Sequence, residues 1–304
     1  MDYKKLIRNA QMRYAILRAL SWIPDGIMVR LQYRIKMGFF PNLRSPQRYT
    51  EKLQYYKLHY RNPLMHTCVD KYNVREYVRS KGLGDILNDC YGVYKSADEI
   101  DFDRLPQSFV LKTTHGGGGR NILIVKDKSK CNIPDIKANL LKWQKEDIGN
   151  FGREWAYTGL EKRFITEKYI DADINKGGLI DYKFFCFNGE VHCLYVIADR
   201  ELGDKAGLAV YDRTFSRLKV SRADEKILER EIEKPVNFDK MIAIAETLST
   251  DFPHVRIDLY NVSGKIIFGE FTFYDGSGYM RFNPDSFDYE LGKHLSLEDI
   301  KSSE

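Results

Sequence analysis

The residues best suited to chemistry lie in two short motifs near the C-terminal end of the sequence. Arg256-Ile-Asp258 and Glu270-Phe-Thr272 carry polar side chains at alternate positions, with a turn-like Asn-Val-Ser-Gly segment between them. Because alternate residues of a strand face the same side, the pattern predicts a hairpin on which Asp258 and Glu270 lie side by side. Adjacent carboxylates repel each other and imply a compensating cation, and their hard oxygen atoms favour Mg²⁺ that bridges nucleotide phosphates.

Arg256 belongs to the same predicted face of the hairpin. A guanidinium in this position can grip a carboxylate or an acyl-phosphate. The alternative is an ordinary surface hairpin in which Arg256 forms a salt bridge with Asp258 or Glu270. A glycine-rich loop upstream favours the first interpretation.

That loop is a run of four glycines at residues 116–119. It lies between two short apolar segments, residues 109–112 and 122–125, which are typical of strands. Glycines let consecutive backbone N–H groups converge on an anion, and Lys112 can add a positive charge to a phosphate site. Because a strand follows the loop, neither Walker A nor Rossmann logic applies, since both need a helix there. A merely flexible hairpin is the alternative.

A third motif is Thr166-Glu167-Lys168-Tyr169-Ile170. The segment predicts a strand that leads into a linker, whose backbone N–H and C=O groups can bind an adenine edge. Glu167 would then hold a ribose hydroxyl or the adenine amine. An ordinary amphipathic strand explains the same pattern when it is considered alone.

The elements that must position these motifs change in character near residue 107. The N-terminal third has helical periodicity, with breaks at residues 24–26, 38–46 and 82–84, and it predicts helices up to residue 37 and at about 50–60 and 64–81. The rest predicts mainly strands, so the fold class is α+β. Predicted strands are residues 109–112, 122–125, 164–170, 181–188, 191–199, 208–211, 255–260 and 265–272, with helices at about 134–145 and 239–250.

Composition limits the classes of protein that fit. The chain has 304 residues, of which 43% are hydrophobic and 30% charged, enough for two or three packed subdomains. We expect a cytoplasmic protein, because no run of eighteen apolar residues and no signal-peptide pattern occur. The five cysteines lack a C-x-x-C spacing and predict reduced thiols, and the six histidines show no metal-ligand spacing.

Positive charge is concentrated at the N-terminus. Residues 1–50 carry ten Lys and Arg against two Asp, a net charge of +8 in a chain of +5. One interpretation is two amphipathic helices that pack on the body and expose a solvated basic face. The other is contact with an anionic surface, either a lipid bilayer or a charged polysaccharide. We expect no nucleic-acid partner, since no nucleic-acid-binding motif accompanies the charge.

The order of these motifs resembles the ATP-grasp superfamily. That order is a lysine, the glycine loop, Glu-Lys-Tyr-Ile, R-x-D, E-x-T and Gly-Ser-Gly. The sequence is most similar to the TupA-like branch, associated with teichuronopeptide and capsular polysaccharide biosynthesis. The resemblance covers roughly residues 30–295 and includes upstream blocks at residues 45–46, 49–54, 61–64 and 70–75.

The resemblance implies that ATP lies between two antiparallel-sheet lobes. It divides the chain into a basic helical N-terminal region (1–60), a helical pre-grasp segment (61–106), a central lobe with the glycine-rich loop (107–170) and a C-terminal lobe with the metal hairpin (171–304).

It also implies roles for single residues. Arg256 would stabilise the intermediate, and Lys183 would be a further phosphate or ribose contact. Asp258, Glu270 and Thr272 would bind Mg²⁺, although many ATP-grasp ligases have asparagine in place of Thr272; Asp275 is an alternative ligand. The remaining ATP contacts would be Lys71, Lys112, His115, Gly116, Gly117, Gly118, Gly119, Glu167, Lys168, Ile170 and Asp181.

The implied reaction joins a carboxylate to an amine at the expense of ATP, through an acyl-phosphate. Within this branch we expect a sugar or polysaccharide acceptor that carries a carboxylate, such as a uronic acid, and an amino acid or other amine. A sugar kinase on the same fold is one alternative. A non-catalytic module that docks onto membrane-bound assembly enzymes is another. A glycosyltransferase is a weaker alternative, because the paired carboxylates Asp258 and Glu270 lie on the two strands of a predicted hairpin.

Overall fold

Helices fill the N-terminal third of the chain, where apolar residues recur at helical spacing. The computed structural model describes residues 9–116, 121–146, 152–171, 177–200 and 206–301. Pro24 precedes the second helix and Gly38 ends it at φ 96, a left-handed conformation that glycine adopts readily. The α-helices of the described residues are α1 (Ala10–Ala19), α2 (Asp25–Met37), α3 (Tyr49–His59), α4 (Leu64–Val69), α5 (Val74–Ser80), α6 (Ile133–Gln144), α7 (Phe238–Ser249), α8 (Ser286–His294) and α9 (Leu297–Lys301).

The predicted single helix over residues 64–81 is wrong, because the chain breaks at Asp70. Its Oδ1 atom accepts the backbone N–H groups of Tyr72 at 3.0 Å and Asn73 at 2.8 Å. These bonds compete with helical ones, so α4 ends at Val69 and α5 begins at Val74. Lys71 lies in the resulting corner.

Two antiparallel sheets carry the rest of the fold. The four-stranded sheet has the order β1-β4-β2-β3, and the six-stranded sheet has the order β11-β10-β5-β6-β7-β9, in which only the β7–β9 pair is parallel. A two-stranded sheet pairs β12 with β8. The strands are β1 (Cys90–Tyr94), β2 (Phe109–Thr113), β3 (Ile122–Val125), β4 (Phe164–Lys168), β5 (Asp181–Phe187), β6 (Glu190–Ala198), β7 (Gly207–Asp212), β8 (Ser221–Arg222), β9 (Lys226–Ile227), β10 (His254–Val262), β11 (Lys265–Thr272) and β12 (Phe282–Asn283).

The sheets confirm the α+β fold class and add four strands that the sequence did not predict, of which β1 is the longest. Strand β1 pairs with β4 in the four-stranded sheet, so that sheet begins upstream of residue 107. The predicted turn between the hairpin strands is present, with φ values of 51 and 82 at Ser263 and Gly264. A second tight turn, at Asn188 and Gly189, has φ values of 50 and 81. Positive φ at both positions is the turn geometry that suits a twisted hairpin.

Each large sheet has its own hydrophobic core. The core of the six-stranded sheet takes in α3, α4, α5 and α7, and every residue of β5 is buried. The smaller core joins α6 to the four-stranded sheet through residues such as Leu140 and Phe109. All five cysteines are free thiols. In the described parts of the chain, no helix is both long and apolar enough to cross a membrane.

Helix α3 attaches the N-terminal region to the C-terminal lobe, and it contains the upstream block at residues 49–54. Glu51 accepts the backbone N–H groups of Asn42, Gln47 and Arg48 at 2.9, 3.1 and 3.3 Å. Lys52 Nζ donates to two carbonyl groups at the end of α8 at 2.6 and 2.7 Å. The block is therefore a structural attachment that fixes α3 against the sheet.

Candidate active site

The R-x-D and E-x-T motifs form the hairpin of β10 and β11. The strand register pairs Arg256 with Thr272 and Asp258 with Glu270, as predicted, and a bulge between Asp258 and Leu259 sets this register. On its other side β10 pairs with β5, which brings Lys183 opposite Asp258. Three strands therefore contribute to one charged cluster.

Asp258 lies at the centre of that cluster, with its side chain 1% exposed. It accepts two hydrogen bonds from Arg256, Nε to Oδ1 at 2.7 Å and Nη2 to Oδ2 at 2.8 Å. Lys183 Nζ donates to the same carboxylate and to Asp181 at 2.8 Å. Burial by itself would raise the pKa of Asp258, but Arg256 and Lys183 outweigh it and hold that pKa below its ordinary value.

Arg256 links this carboxylate to a second one. Its Nη1 atom donates to Asp275, which also receives Arg222 Nη1 at 3.3 Å. Its Nη2 atom donates to Thr272 Oγ1 at 3.0 Å and lies 3.6 Å from Glu270 Oε1. The Arg256–Asp258 ion pair that a surface hairpin would contain is present, but it is buried within a larger network.

Glu270 is the accessible carboxylate of the hairpin, with 37% of its side chain exposed. Among the residues described, no group of three or more His, Cys, Asp and Glu is arranged to hold a metal by itself. The paired oxygen ligands Asp258 and Glu270 nevertheless fit Mg²⁺, which commonly takes one or two carboxylates and completes its shell with water and phosphates. The donor set therefore suits a phosphate-bridged ion and does not form an all-protein cage.

A cavity of about 380 Å³ lies between the two large sheets. That volume is in the range of small-molecule sites in proteins, roughly 300–1,000 Å³. Val110, Ile122 and Ile124 line it from the four-stranded sheet, and Phe268 and Gly269 line it from the hairpin. The other lining residues are Lys71, Arg75, Leu87, Asn88, Lys112, Glu167, Lys168, Tyr169, Ile170, Leu179, Arg200 and Tyr260.

Glu167 lies at the polar side of this cavity and is buried. Lys112 Nζ lies 2.5 Å from its Oε2 atom, and Arg75 Nη1 lies 3.6 Å from Oε1. The Lys168 N–H donates to Asp89 O at 2.9 Å, so it is already used. The Lys168 carbonyl accepts Asn88 Nδ2 at 2.8 Å and keeps a second lone pair for a ligand.

Lys71 lines the cavity and contacts the first residue of the glycine loop. Its backbone N–H donates to Thr114 O at 3.0 Å, and its Nζ atom donates to the Gly116 carbonyl. Burial lowers the pKa of Lys71. His115, which precedes Gly116 in the sequence, is buried. Gly117, Gly118 and Gly119 lie outside the described residues.

Asp181 and Arg200 extend the charged cluster toward the cavity. Asp181 Oδ2 accepts Arg200 Nη2 at 2.9 Å as well as Lys183 Nζ. Burial raises the pKa of Asp181, since the nearby cations offset only part of the desolvation. Arg200 lines the cavity, so the cluster and the cavity share a boundary.

Sequence reasoning missed the residues that hold the turn after the hairpin. Gln54 Nε2 donates to the carbonyls of Ser277 at 3.2 Å and Gly278 at 2.7 Å, and Lys57 Nζ donates to the Ser277 carbonyl at 3.0 Å. The turn needs this support, because Gly276, Ser277 and Gly278 have φ values of 50, 56 and 71. A Cβ atom at Gly278 would lie 2.3 Å from Gln54 Nε2. The Gly-Ser-Gly sequence signals the turn, but nothing in it identifies α3 as the support.

Two sheets enclosing a nucleotide-sized cavity, with lysines in its lining and paired carboxylates in the neighbouring hairpin, define an ATP-grasp protein. The chain belongs to the TupA-like ATP-grasp family, whose model matches residues 51–296. It is therefore an ATP-dependent ligase that uses ATP with Mg²⁺ to join a carboxylate to an amine. No curated protein matches the chain.

Solved structures resemble the chain only distantly. A D-alanine–D-alanine ligase from Bacillus anthracis has 18% identity and a TM-score of 0.46, over 78% of this chain and 70% of that one. The corresponding ligase from Helicobacter pylori has 13% identity and a TM-score of 0.43, over 84% and 68%. An L-amino acid ligase from Bacillus licheniformis has 14% identity and a TM-score of 0.46, over 77% of this chain and 50% of that one. Similarity at this level carries no information about substrates.

Proposed function

We propose that this ligase activates a carboxylate of a bacterial surface polysaccharide or its precursor, such as a uronic acid, and joins it to an amino acid. The observation that carries the proposal is the buried guanidinium of Arg256 beside the accessible carboxylate of Glu270. A cation at this position suits a substrate carboxylate and the acyl-phosphate formed from it. The resemblance to the branch of teichuronopeptide and capsular polysaccharide biosynthesis supports a polysaccharide acceptor.

In this proposal ATP occupies the cavity between the sheets. The adenine ring packs between the aliphatic side chain of Ile124 and the ring of Phe268, and Glu167 binds a ribose hydroxyl or the adenine amine. Lys71 and Lys112 contact the phosphates, and the glycine-rich loop covers them. The apolar lining from both sheets and the lysines in the lining support this placement.

Asp258 and Glu270 would hold Mg²⁺, with Thr272 as a weaker neighbouring oxygen. When bound, Mg²⁺ neutralises charge on the phosphate oxygens. Arg256 and Lys183 already neutralise Asp258, which supports a site that stays folded when no ligand is bound. Glu270 has the freer carboxylate for the ion.

The chemistry has two steps. A carboxylate oxygen of the acceptor attacks the γ-phosphorus of ATP, the bond to the β-phosphate oxygen breaks, and ADP leaves. The amine nitrogen then attacks the acyl carbon, phosphate leaves with the C–O bond electrons, and the nitrogen loses a proton to solvent. Positioning and charge neutralisation suffice for both steps, so no covalent nucleophile on the protein is needed.

The test is incubation of the protein with ATP, Mg²⁺, a set of uronic-acid glycans and a panel of amino acids. We expect ADP and phosphate release that requires both an acceptor and an amine, with an amide-linked product detected by mass spectrometry. Glu270→Gln should lower turnover about a hundredfold or more, since a ligand of the charge-neutralising ion is lost. Glu229→Gln, an exposed glutamate outside the site, is the matched control.

Other outcomes identify other functions. Phosphorylated glycan formed without any amine would replace the proposal by a sugar kinase. Unchanged cellular function in Glu270→Gln, together with retained nucleotide binding, would indicate a non-catalytic docking module. We also propose a location, the cytoplasmic face of the membrane, because lipid-linked saccharide intermediates are held at the inner leaflet.

A further inference from the structure

Helix α2 presents apolar side chains to solvent along one side. Ile27, Leu31 and Ile35 follow one another at four-residue spacing and are 52%, 43% and 54% exposed. Trp22, before the helix, is 78% exposed, and Phe40, after it, is 61% exposed. We define these five residues as the α2 apolar face. A soluble surface rarely leaves such large neighbouring side chains in water without a partner.

The opposite side of α2 is fixed to the body of the protein, so the apolar face cannot turn inward. Met28, Val29 and Tyr33 are buried. The Tyr33 hydroxyl lies 2.9 Å from Thr50 Oγ1, and the Tyr279 hydroxyl donates to Gln32 Oε1 at 2.9 Å. The outward direction of the apolar face is therefore set by packing on α3 and on the segment after the hairpin.

Positive charge borders the apolar face. Arg30 and Arg34 are exposed between its residues and donate only to the carbonyls of Gly26 and Gly38 at their own helix ends. Within the described ranges neither arginine forms an ion pair. Asp25 is the only acidic residue of α2, and Arg153 neutralises it at 2.8 Å. The surface is therefore both apolar and cationic.

We propose that the α2 apolar face binds an anionic lipid bilayer. Apolar side chains of this kind lie at the boundary between headgroups and acyl chains, with Trp favoured at the interface, while Lys and Arg contact anionic headgroups. Residues 1–50 add to the attraction with their net charge of +8. A second copy of the chain is a poorer occupant, because a two-fold contact through this face would oppose the arginines of both copies.

The bound orientation has a consequence for the site. The same side of α2 that faces the protein contacts Tyr279, which directly follows the turn Asp275–Gly278. Asp275 in that turn holds Arg256. Helix α2 therefore packs on the segment that follows the turn, and a bilayer on the outer side of α2 suits an acceptor attached to lipid. Membrane binding itself does not depend on the proposed reaction.

The experiment is co-sedimentation of the full chain with vesicles of phosphatidylcholine alone and of phosphatidylcholine with phosphatidylglycerol. We expect binding only to the anionic vesicles, weakened by salt. The variant Ile27→Asn/Leu31→Asn/Ile35→Asn should lower the partition coefficient about tenfold or more. Arg30→Gln/Arg34→Gln should lower it less. Leu141→Asn, at another exposed leucine, is the control and should bind like the wild type.

Thermal melting and ATP binding check that the variants fold, and both should match the wild type. Equal binding of the wild type to neutral and anionic vesicles would overturn the proposal. A triple variant that binds anionic vesicles as strongly as the wild type would also overturn it. So would a wild-type protein that is oligomeric in solution when the triple variant is monomeric. ATP turnover with a water-soluble acceptor is measured separately, so a failed ligase assay and failed vesicle binding are distinguishable results.

Discussion

The nucleotide cavity and the charged hairpin cluster lie side by side, yet they handle charge in opposite ways. The cavity has open space of about 380 Å³ and a single carboxylate, Glu167, with two cations nearby. In the hairpin cluster, by contrast, the buried carboxylates Asp258 and Asp275 are already paired with arginine and lysine. The cavity is thus prepared for a ligand, whereas the cluster is stabilised by its own counter-charges. Mutations in the cavity should therefore affect binding, and mutations of the buried, paired groups of the cluster should affect folding.

Arg256→Met should have the largest effect. It leaves Asp258 and Asp275 buried without their shared partner, and breaking a buried ion pair in this way costs about 3–5 kcal/mol of the free energy of unfolding. Urea unfolding followed by circular dichroism measures the change. Glu270→Gln, in the same hairpin but partly exposed, should change the free energy of unfolding by less than about 1 kcal/mol. A loss below about 1 kcal/mol in Arg256→Met would show that the cluster does not depend on this pairing.

Glu167→Gln should have a smaller effect, and it should weaken ATP binding and leave the stability of the fold nearly unchanged. The charged acceptor for a ribose hydroxyl or adenine amine is lost, so ATP affinity should fall about tenfold, which corresponds to a charge-assisted hydrogen bond. Calorimetric titration with a non-hydrolysable ATP analogue measures it. The midpoint of thermal unfolding should stay within a few degrees of the wild type. Unchanged affinity together with a large fall in stability would make Glu167 a structural residue and remove the contrast between the regions.

Lys57 tests whether the turn after the hairpin belongs to the cluster. Burial lowers the pKa of Lys57 to about 7 in the folded protein, whereas an unfolded lysine titrates near 10.5. Between these values the unfolded chain binds more protons, so stability gains from this group as pH rises. Relative to Lys57→Met, the wild type should gain about 1 kcal/mol per pH unit between pH 7.5 and 9. Lys145→Met, at an exposed lysine, should show no such trend in urea unfolding.

The pairing of Asp258 with Glu270 was predicted correctly, but alternation explains only part of it. Counted from the turn at Ser263 and Gly264, regular pairing would place Asp258 opposite Gly269. The bulge between Asp258 and Leu259 shifts the register by one residue and brings Glu270 opposite Asp258. Strand β1 was missed because its residues are only half-buried and include Gly92, so no clear alternation marks it. The support of the turn by Gln54 and Lys57 joins residues more than 200 positions apart, and single-sequence patterns carry no signal for such a contact.

For Lys183 the sequence predicted a residue of the site but not the groups that surround it. Lys183 was expected to contact a phosphate or ribose, and it lies against Asp258 and Asp181 instead of in open space. Its pKa is raised, because the two carboxylates outweigh the burial that would lower it. Such pairing depends on which neighbouring strand lies next to β10, which is a property of the whole sheet. The role of Lys183 in catalysis stays a prediction.

Gly269 gives the two regions a common wall. It forms part of the lining of the nucleotide cavity, and it sits at a bulge where the register shifts between Asp258 and Leu259. A Cβ atom on it would lie 2.9 Å from the backbone oxygen of Asp258, so no other residue fits without moving that strand. The backbone that lines the cavity at Gly269 therefore lies in close contact with the strand that carries Asp258. A ligand that displaces Gly269 would therefore also displace the strand that carries the charged cluster.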